Sequence, residues 1–140
     1  MKVRVMLVRE GRKRLQVEVS SPQIAYLFLK PKAHRLDREH FWRIDLDARH
    51  HIISYEVVSI GTLTASLVHP REVFTGALLN KAAGIIVAHN HPTGETEPSR
   101  EDRETTRRLV QAGELLGVPV LDHLVLGNGK YFSFKEGGLL

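Results

Sequence analysis

The apolar run Gly84-Ile85-Ile86-Val87-Ala88 ends in His89-Asn90-His91, and no other stretch constrains the fold as tightly. Ala83 to Ala88 is almost continuously apolar, which is the pattern of a strand covered on both faces and therefore central in its sheet. Side chains at i and i+2 of a strand share a face. The two imidazoles therefore stand together, and Asn90 points the other way, to hydrogen bonding rather than coordination. Pro92 and Gly94 turn the chain at once. Ser99-Arg100-Glu101-Asp102 then opens a helix and brings back a carboxylate eleven residues after His91. Two imidazoles and one carboxylate make three protein ligands. Zinc in a hydrolase takes three such ligands and keeps a fourth position for water.

Each half of the pattern also has a plainer reading. A lone His-x-His at a strand end is commonly a surface pair. Ser-x-x-Asp at a helix start resembles a capping box with Asp in place of Glu or Gln, and it complements the helix dipole. It is the combination at this spacing that favours a metal over a cap. Ser99 can cap the helix and act chemically as well.

The rest of the chain supplies a sheet and its covering helices. Lys2 to Val8 and Leu15 to Val19 alternate like strands around a turn at Gly11, which predicts an N-terminal hairpin extension over residues 1–20. Ser20 or Ser21 caps a helix starting at Pro22 and ended by Pro31. Phe41, Ile44 and Leu46 lie in a strand, Asp47 to His50 form a turn, and His51 to Ser59 return antiparallel. Gly61 to Leu67 reads as a loop, and His69 to Leu79 as a helix with Pro70 at its start. Ser99 to Leu116 is the clearest helix, with Leu109, Ala112, Gly113 and Leu116 on one stripe and Gly117 at the left-handed position after it. Val118 to Leu126 is a strand, Asn128-Gly129 a hairpin turn, and Lys130 to Phe134 the returning strand. The tail after Lys135 reads as loose. The fold class is mixed α/β (α+β): one sheet of mostly antiparallel strands flanked by helices.

Bulk properties narrow the function classes. A chain of 140 residues fits one domain with a real core, and 42% apolar with 26% charged residues is ordinary for a globular protein. Cysteine is absent, so a transition metal must be held by His and carboxylates, which suits zinc. No apolar run reaches the roughly 18 residues of a membrane span. The N-terminus lacks the continuous apolar segment of a signal peptide, so the expected location is the cytoplasm. The net charge of +4 gathers at Arg9, Arg12, Lys13, Arg14 and at Lys30, Lys32, Arg35, Arg38. These clusters read as a solvated surface or as a nucleic-acid face, with no aromatic pattern for base stacking beside them.

His-x-His, seven residues, then Ser-x-x-Asp is the spacing of the JAMM (MPN+/JAB) metalloprotease family. Leu36 to Phe41, Val58 to Leu63, Ala65 to Phe74, Ala88 to Gly94 and Leu121 to Leu124 further resemble the bacterial RadC JAB domain. The resemblance covers roughly Ser21 to Glu136. It implies a JAB/MPN domain over residues 21–140, with a cytidine-deaminase-like sheet. It implies Zn2+ on His89, His91 and Asp102, and a water whose pKa zinc lowers from 15.7 towards about 7. By the same resemblance Glu39 is the general base and Ser99 the oxyanion donor; spacing alone does not select Glu39 over Glu56 or Glu72. The implied activity is that of a peptidase or isopeptidase acting on a protein or peptide substrate. Only about twenty residues precede the matching part, too few for the helix-hairpin-helix module of typical RadC proteins, so the expectation is a short form. The competing readings are a non-catalytic module that binds DNA or protein, and a metal-dependent nuclease. His69 lines the cleft or caps its helix. Asp122-His123 reads first as a satisfied core pair and second as a pair orienting a ligand. Thr62 and Ser66 are candidate substrate contacts. His34, His40, His50 and His51 read as surface or turn residues.

Overall fold

Gly84–Asn90 is the central strand, and every one of its residues is buried. The computed structural model describes residues 1–6, 8, 16–62 and 68–140. In chain order the elements are α1 (Pro22–Leu29), β1 (His40–Leu46), β2 (Ile52–Ile60), α2 (Pro70–Leu79), β3 (Gly84–Asn90), α3 (Arg100–Leu116), β4 (Val120–Gly127) and β5 (Lys130–Ser133). The strands form one sheet in the order β2-β1-β3-β4-β5. Only β3 and β4 run parallel, because α3 carries the chain back between them; the other neighbours are antiparallel. The expected fold class is the observed one.

The alternation of side chains divides the core into two layers. Trp42, Ile44, Leu46, Ile86, Ala88, Leu124 and Leu126 pack beneath α1. Phe41, Val73, Phe74, Ile85, Val87, Leu109 and Val120 pack beneath α2 and α3. His89 follows Ile85 and Val87 on the second face. Asn90 falls on the opposite one, where it accepts from His40 N–H at 2.6 Å and donates to the Arg38 carbonyl at 2.9 Å. Asn90 thus ties the start of β1 to the end of β3.

Two helix starts follow the expected chemistry. His69 caps α2, its Nδ1 accepting from Arg71 N–H at 3.1 Å. Ser99 and Asp102 form a full capping box on α3: Ser99 Oγ accepts from Asp102 N–H at 3.1 Å, and Asp102 Oδ2 accepts from Ser99 N–H at 2.8 Å. The buried stripe of α3 is Asp102, Thr105, Thr106, Leu109 and Gly113. Leu116, expected on that stripe, is 47% exposed. Gly113 lets α3 close on β4: a Cβ there would stand 2.5 Å from the Val118 carbonyl oxygen.

Three further expectations change. Residues 2–6 and 8 form no strand, and Val3, Val5, Met6 and Val8 are exposed. Glu18 makes only an isolated antiparallel bridge with His51, while the turn at Gly11 lies outside the described residues. Ser21 occupies the N-cap position of α1 without a side-chain hydrogen bond. The C-terminal tail is not loose: Gly137 N–H reaches the Ser133 carbonyl at 2.9 Å and Leu139 N–H the Phe134 carbonyl at 2.8 Å. Among the described residues no helix is long and apolar enough to cross a membrane.

Candidate metal centre

The C-terminal end of β3 delivers the two histidines, and the first turn of α3 delivers the carboxylate between them. His89 Nε2 lies 3.0 Å from His91 Nε2 and 3.2 Å from Asp102 Oδ1; His91 Nε2 lies 3.1 Å from Asp102 Oδ2. Ligands at roughly 2.0–2.1 Å from a tetrahedral zinc stand about 3.3 Å apart. The three donor atoms already sit near that separation. The His-His-Asp cluster can therefore hold a metal ion.

The hydrogen bonds around the rings decide which nitrogens face the cluster. Thr106 hydroxyl donates to the Asp102 carbonyl at 2.8 Å, so its oxygen accepts from His123 Nδ1. His123 is fully buried; burial, reinforced by the neighbouring His89, pushes its pKa well below the ordinary value and keeps the ring neutral. With Nδ1 donating, His123 Nε2 must accept, and its partner is His89 Nδ1 at 2.7 Å. His89 Nε2 is then left as a lone pair pointing at Asp102. His91 repeats the arrangement: its Nδ1 donates to the Glu95 carbonyl at 2.8 Å, which turns Nε2 inward. These tautomers are assigned from the network. Two imidazole lone pairs converging on a carboxylate suit a cation among them.

The electrostatics agree. Burial by itself would raise the Asp102 carboxyl. In the metal-free centre, protons shared with the two rings together with Ser99 N–H outweigh it and hold the group well below the usual carboxylate range; a bound cation would take the place of the ring protons. The hydrogen bond to Asp102 raises His91 above its ordinary value, with help from the Glu95 carbonyl and the negative charges of Asp102 and Glu39. Ring packing fixes the rest. Phe41 stacks on His89 at 6.4 Å between centroids, and Phe134 stacks on His123 at 4.6 Å.

Glu39 stands immediately before β1. The ladder pairs Phe41 with His89. Glu39 lies close enough for its negative charge to act on His91. The other two glutamates are engaged elsewhere. Glu56 accepts from Arg43 at 2.8 Å, and Glu72 lies 3.7 Å from Arg71 at the start of α2. Ser99 spends an oxygen lone pair on Asp102 N–H, so its hydroxyl hydrogen remains available for a second partner.

Among the remaining expected residues, His123 is fully buried and touches the cluster through His89 at 2.7 Å. Asp122 alternates to the other side, where it accepts from Ser133 and from the N–H groups of His123 and Lys135. Burial raises its pKa. His69 serves α2 as a cap. His34, His50 and Thr62 are exposed, His51 is half-buried in its bridge with Glu18, and Ser66 lies outside the described residues. His40 opens β1 with its ring stacked on Trp42, so it belongs to a strand and not to a turn. Thr106 went unread in the sequence; its i+4 spacing from Asp102 was the available signal.

The chain matches the family model of the RadC-like JAB domain over residues 19–139. A UPF0758 protein of Symbiobacterium thermophilum is 55% identical over 125 residues, covering 89% of this chain and 53% of that protein. A UPF0758 protein of Methanosarcina mazei is 46% identical, covering 88% of this chain and 54% of that one. A third, from Caldanaerobacter subterraneus, is 45% identical over 135 residues, or 96% and 57%. The chain thus spans about half the length of the curated relatives it matches. With the matched model reaching across nearly all of the described sheet and helices, the chain belongs to the RadC-like JAB domain family.

Proposed function

We propose that this domain is a zinc-dependent hydrolase of amide bonds, with His89, His91 and Asp102 holding the metal. The observation that carries the reading is the convergence of His89 Nε2, His91 Nε2 and the Asp102 carboxylate within 3.0–3.2 Å, while His123 and the Glu95 carbonyl occupy the two Nδ1 atoms. The donor set, two nitrogens and one oxygen without thiolate, fits zinc. When bound, zinc would supply a Lewis acid and a water of lowered pKa. Glu39 takes a proton from the attacking water and returns it to the leaving nitrogen. The Ser99 hydroxyl donates to the oxygen that gains charge at the scissile carbonyl. A donor of this kind is worth roughly 2.7–4 kcal/mol in a comparable site. Fixed by its cap, Ser99 needs little reorganisation to do so.

Elemental analysis of tag-free protein tests the metal. About one zinc per chain is expected, and none in the His89→Ala/His91→Ala double variant; a zinc-free parent after reconstitution at neutral pH would sink the proposal. A zinc-loaded parent should also cleave members of a peptide and isopeptide panel and lose that activity with chelator. His123 permits a finer test. His123→Leu removes the acceptor that orients His89 while leaving all three ligands. Zinc affinity should fall about 10–100-fold, as expected for an outer-shell partner. Unchanged affinity in a competition titration against a chelator would remove His123 from the site.

A further inference from the structure

A cavity of about 600 Å³ opens where β3 and β4 end, between α1 and the β4–β5 hairpin. His91 stands on its wall, so the cavity and the candidate metal centre share a residue. Lys30, Arg35 and Lys130 line it, and no Asp or Glu does. Tyr26 lines it too. Its side chain is buried, and its hydroxyl is the one buried side-chain polar atom without a hydrogen-bond partner among the described residues. An orphaned buried hydroxyl is costly unless something supplies its partner. A ligand acceptor in the cavity would do so.

The charges here are placed and not merely numerous. The cluster Lys30, Lys32, Arg35, Arg38 does not form one basic stripe. Lys32 turns away, its Nζ 4.3 Å from the Phe28 ring centroid and 4.9 Å from that of Tyr55. Lys30 and Arg35 face the cavity, and Lys130 joins them from the far side of the hairpin. The cavity has no free Phe, Tyr or Trp platform for a base. Tyr26, the one such ring in its lining, is already stacked on Tyr131 at 4.8 Å, with Lys30 Nζ 5.9 Å from its ring, and the remaining rings are the small imidazoles of His34 and His91. Cations without carboxylates, an available hydroxyl and no free phenyl or indole surface favour an acidic peptide over a nucleic acid.

We infer that this cavity is the specificity subsite of the domain and holds an acidic segment of a peptide or protein substrate. Lys30, Arg35 and Lys130 contact its carboxylates, and the adjoining amide bond lies at His89, His91 and Asp102. The second half of this statement rests on the hydrolase reading, the first half does not.

Fluorescence anisotropy on the full chain tests it with three labelled probes: a peptide of alternating glutamate and alanine, its lysine-for-glutamate counterpart, and a single-stranded oligonucleotide of matched length. The glutamate peptide should bind, more weakly as salt is raised, and the lysine peptide should not. Arg35→Glu/Lys130→Glu should weaken glutamate-peptide binding about tenfold or more, which is about 1.4 kcal/mol. Both side chains are exposed, so the fold should persist, checked by thermal melting. Lys30→Ala/Lys130→Ala should weaken binding in the same direction. Equal binding of the two peptides, or no change on charge reversal, overturns the subsite. Preferential oligonucleotide binding that the reversal abolishes also overturns it and makes the cavity a nucleic-acid site. Charge-selective peptide binding without cleavage of any amide by the zinc-loaded parent leaves the subsite standing and removes the hydrolase reading. Cleavage without charge preference does the reverse.

Discussion

Glu39→Gln is expected to abolish turnover by a factor of about 10²–10⁴ while leaving zinc at about one per chain. The substitution keeps the shape of the side chain and removes only its charge and its capacity to take a proton. None of the three donor atoms changes, because His89 is oriented by His123, His91 by the Glu95 carbonyl and Asp102 by its own helix cap. The position explains why this glutamate and no other should matter. It stands two residues before the Phe41–His89 pair of β1 and β3, and its negative charge helps to raise His91. Glu56 is held by Arg43, itself buried against Asp45, and so is committed to a structural network. The measurement is the rate on whichever substrate the parent cleaves, with zinc content determined on the same preparation. A fully active Glu39→Gln protein would take the base role away from Glu39. Loss of zinc together with activity would instead show that Glu39 acts on the metal site.

What the sequence disclosed depended on how local the cause was. The central strand was legible because burial on both faces demands an uninterrupted apolar run, and Gly84 to Ala88 supplies one. The start of α3 was legible because Ser99 and Asp102 answer each other across one turn, and its end because Gly117 takes φ 72°, a conformation costly for other residues. Asn128 and Gly129, at φ 41° and 78°, likewise announced the last hairpin. The orienting chain from Thr106 through His123 to His89 was not legible. It depends on β4 lying parallel beside β3, a contact set by the α3 crossover and not by any neighbour in sequence. Asp122 and His123 are adjacent in the chain yet their side chains serve opposite faces, which adjacency in sequence does not show. The directions of the basic cluster were not legible for a similar reason: Lys32 packs on Phe28 and Tyr55, while Lys30 and Arg35 line the cavity. Residues 30 to 38 wrap around the end of α1, so close spacing along the chain does not give a common direction. Among the described residues the N-terminal alternation pairs with no strand.

Asp102→Asn should separate the two duties of this carboxylate: zinc is expected to fall from about one per chain to a trace, while the helix cap is kept. In the capping box Asp102 needs only an acceptor aimed at Ser99 N–H, and an asparagine carbonyl provides that. Between the histidines it needs an anion, and an amide is neutral and turns a donor towards one of two rings. Asp102→Ala removes both duties. It should lose zinc equally and in addition cost about 0.5–2 kcal/mol of stability, the usual cost of a missing cap. Melting of the metal-free proteins measures the cap; elemental analysis measures the ligand. The pH dependence gives an independent reading. The Asp102 carboxyl is held below its ordinary range, so the stability it lends is complete above the unfolded value of about 3.9. That contribution disappears only as pH falls towards the folded value, and the asparagine variant should lack it. His91, raised chiefly by its hydrogen bond to Asp102, should titrate lower in the metal-free asparagine variant than in the parent, which an NMR titration of the imidazole resolves. Stoichiometric zinc of parental affinity in Asp102→Asn would leave the carboxylate as a helix cap and nothing more, and the metal would have to be held by the histidines with some other third ligand.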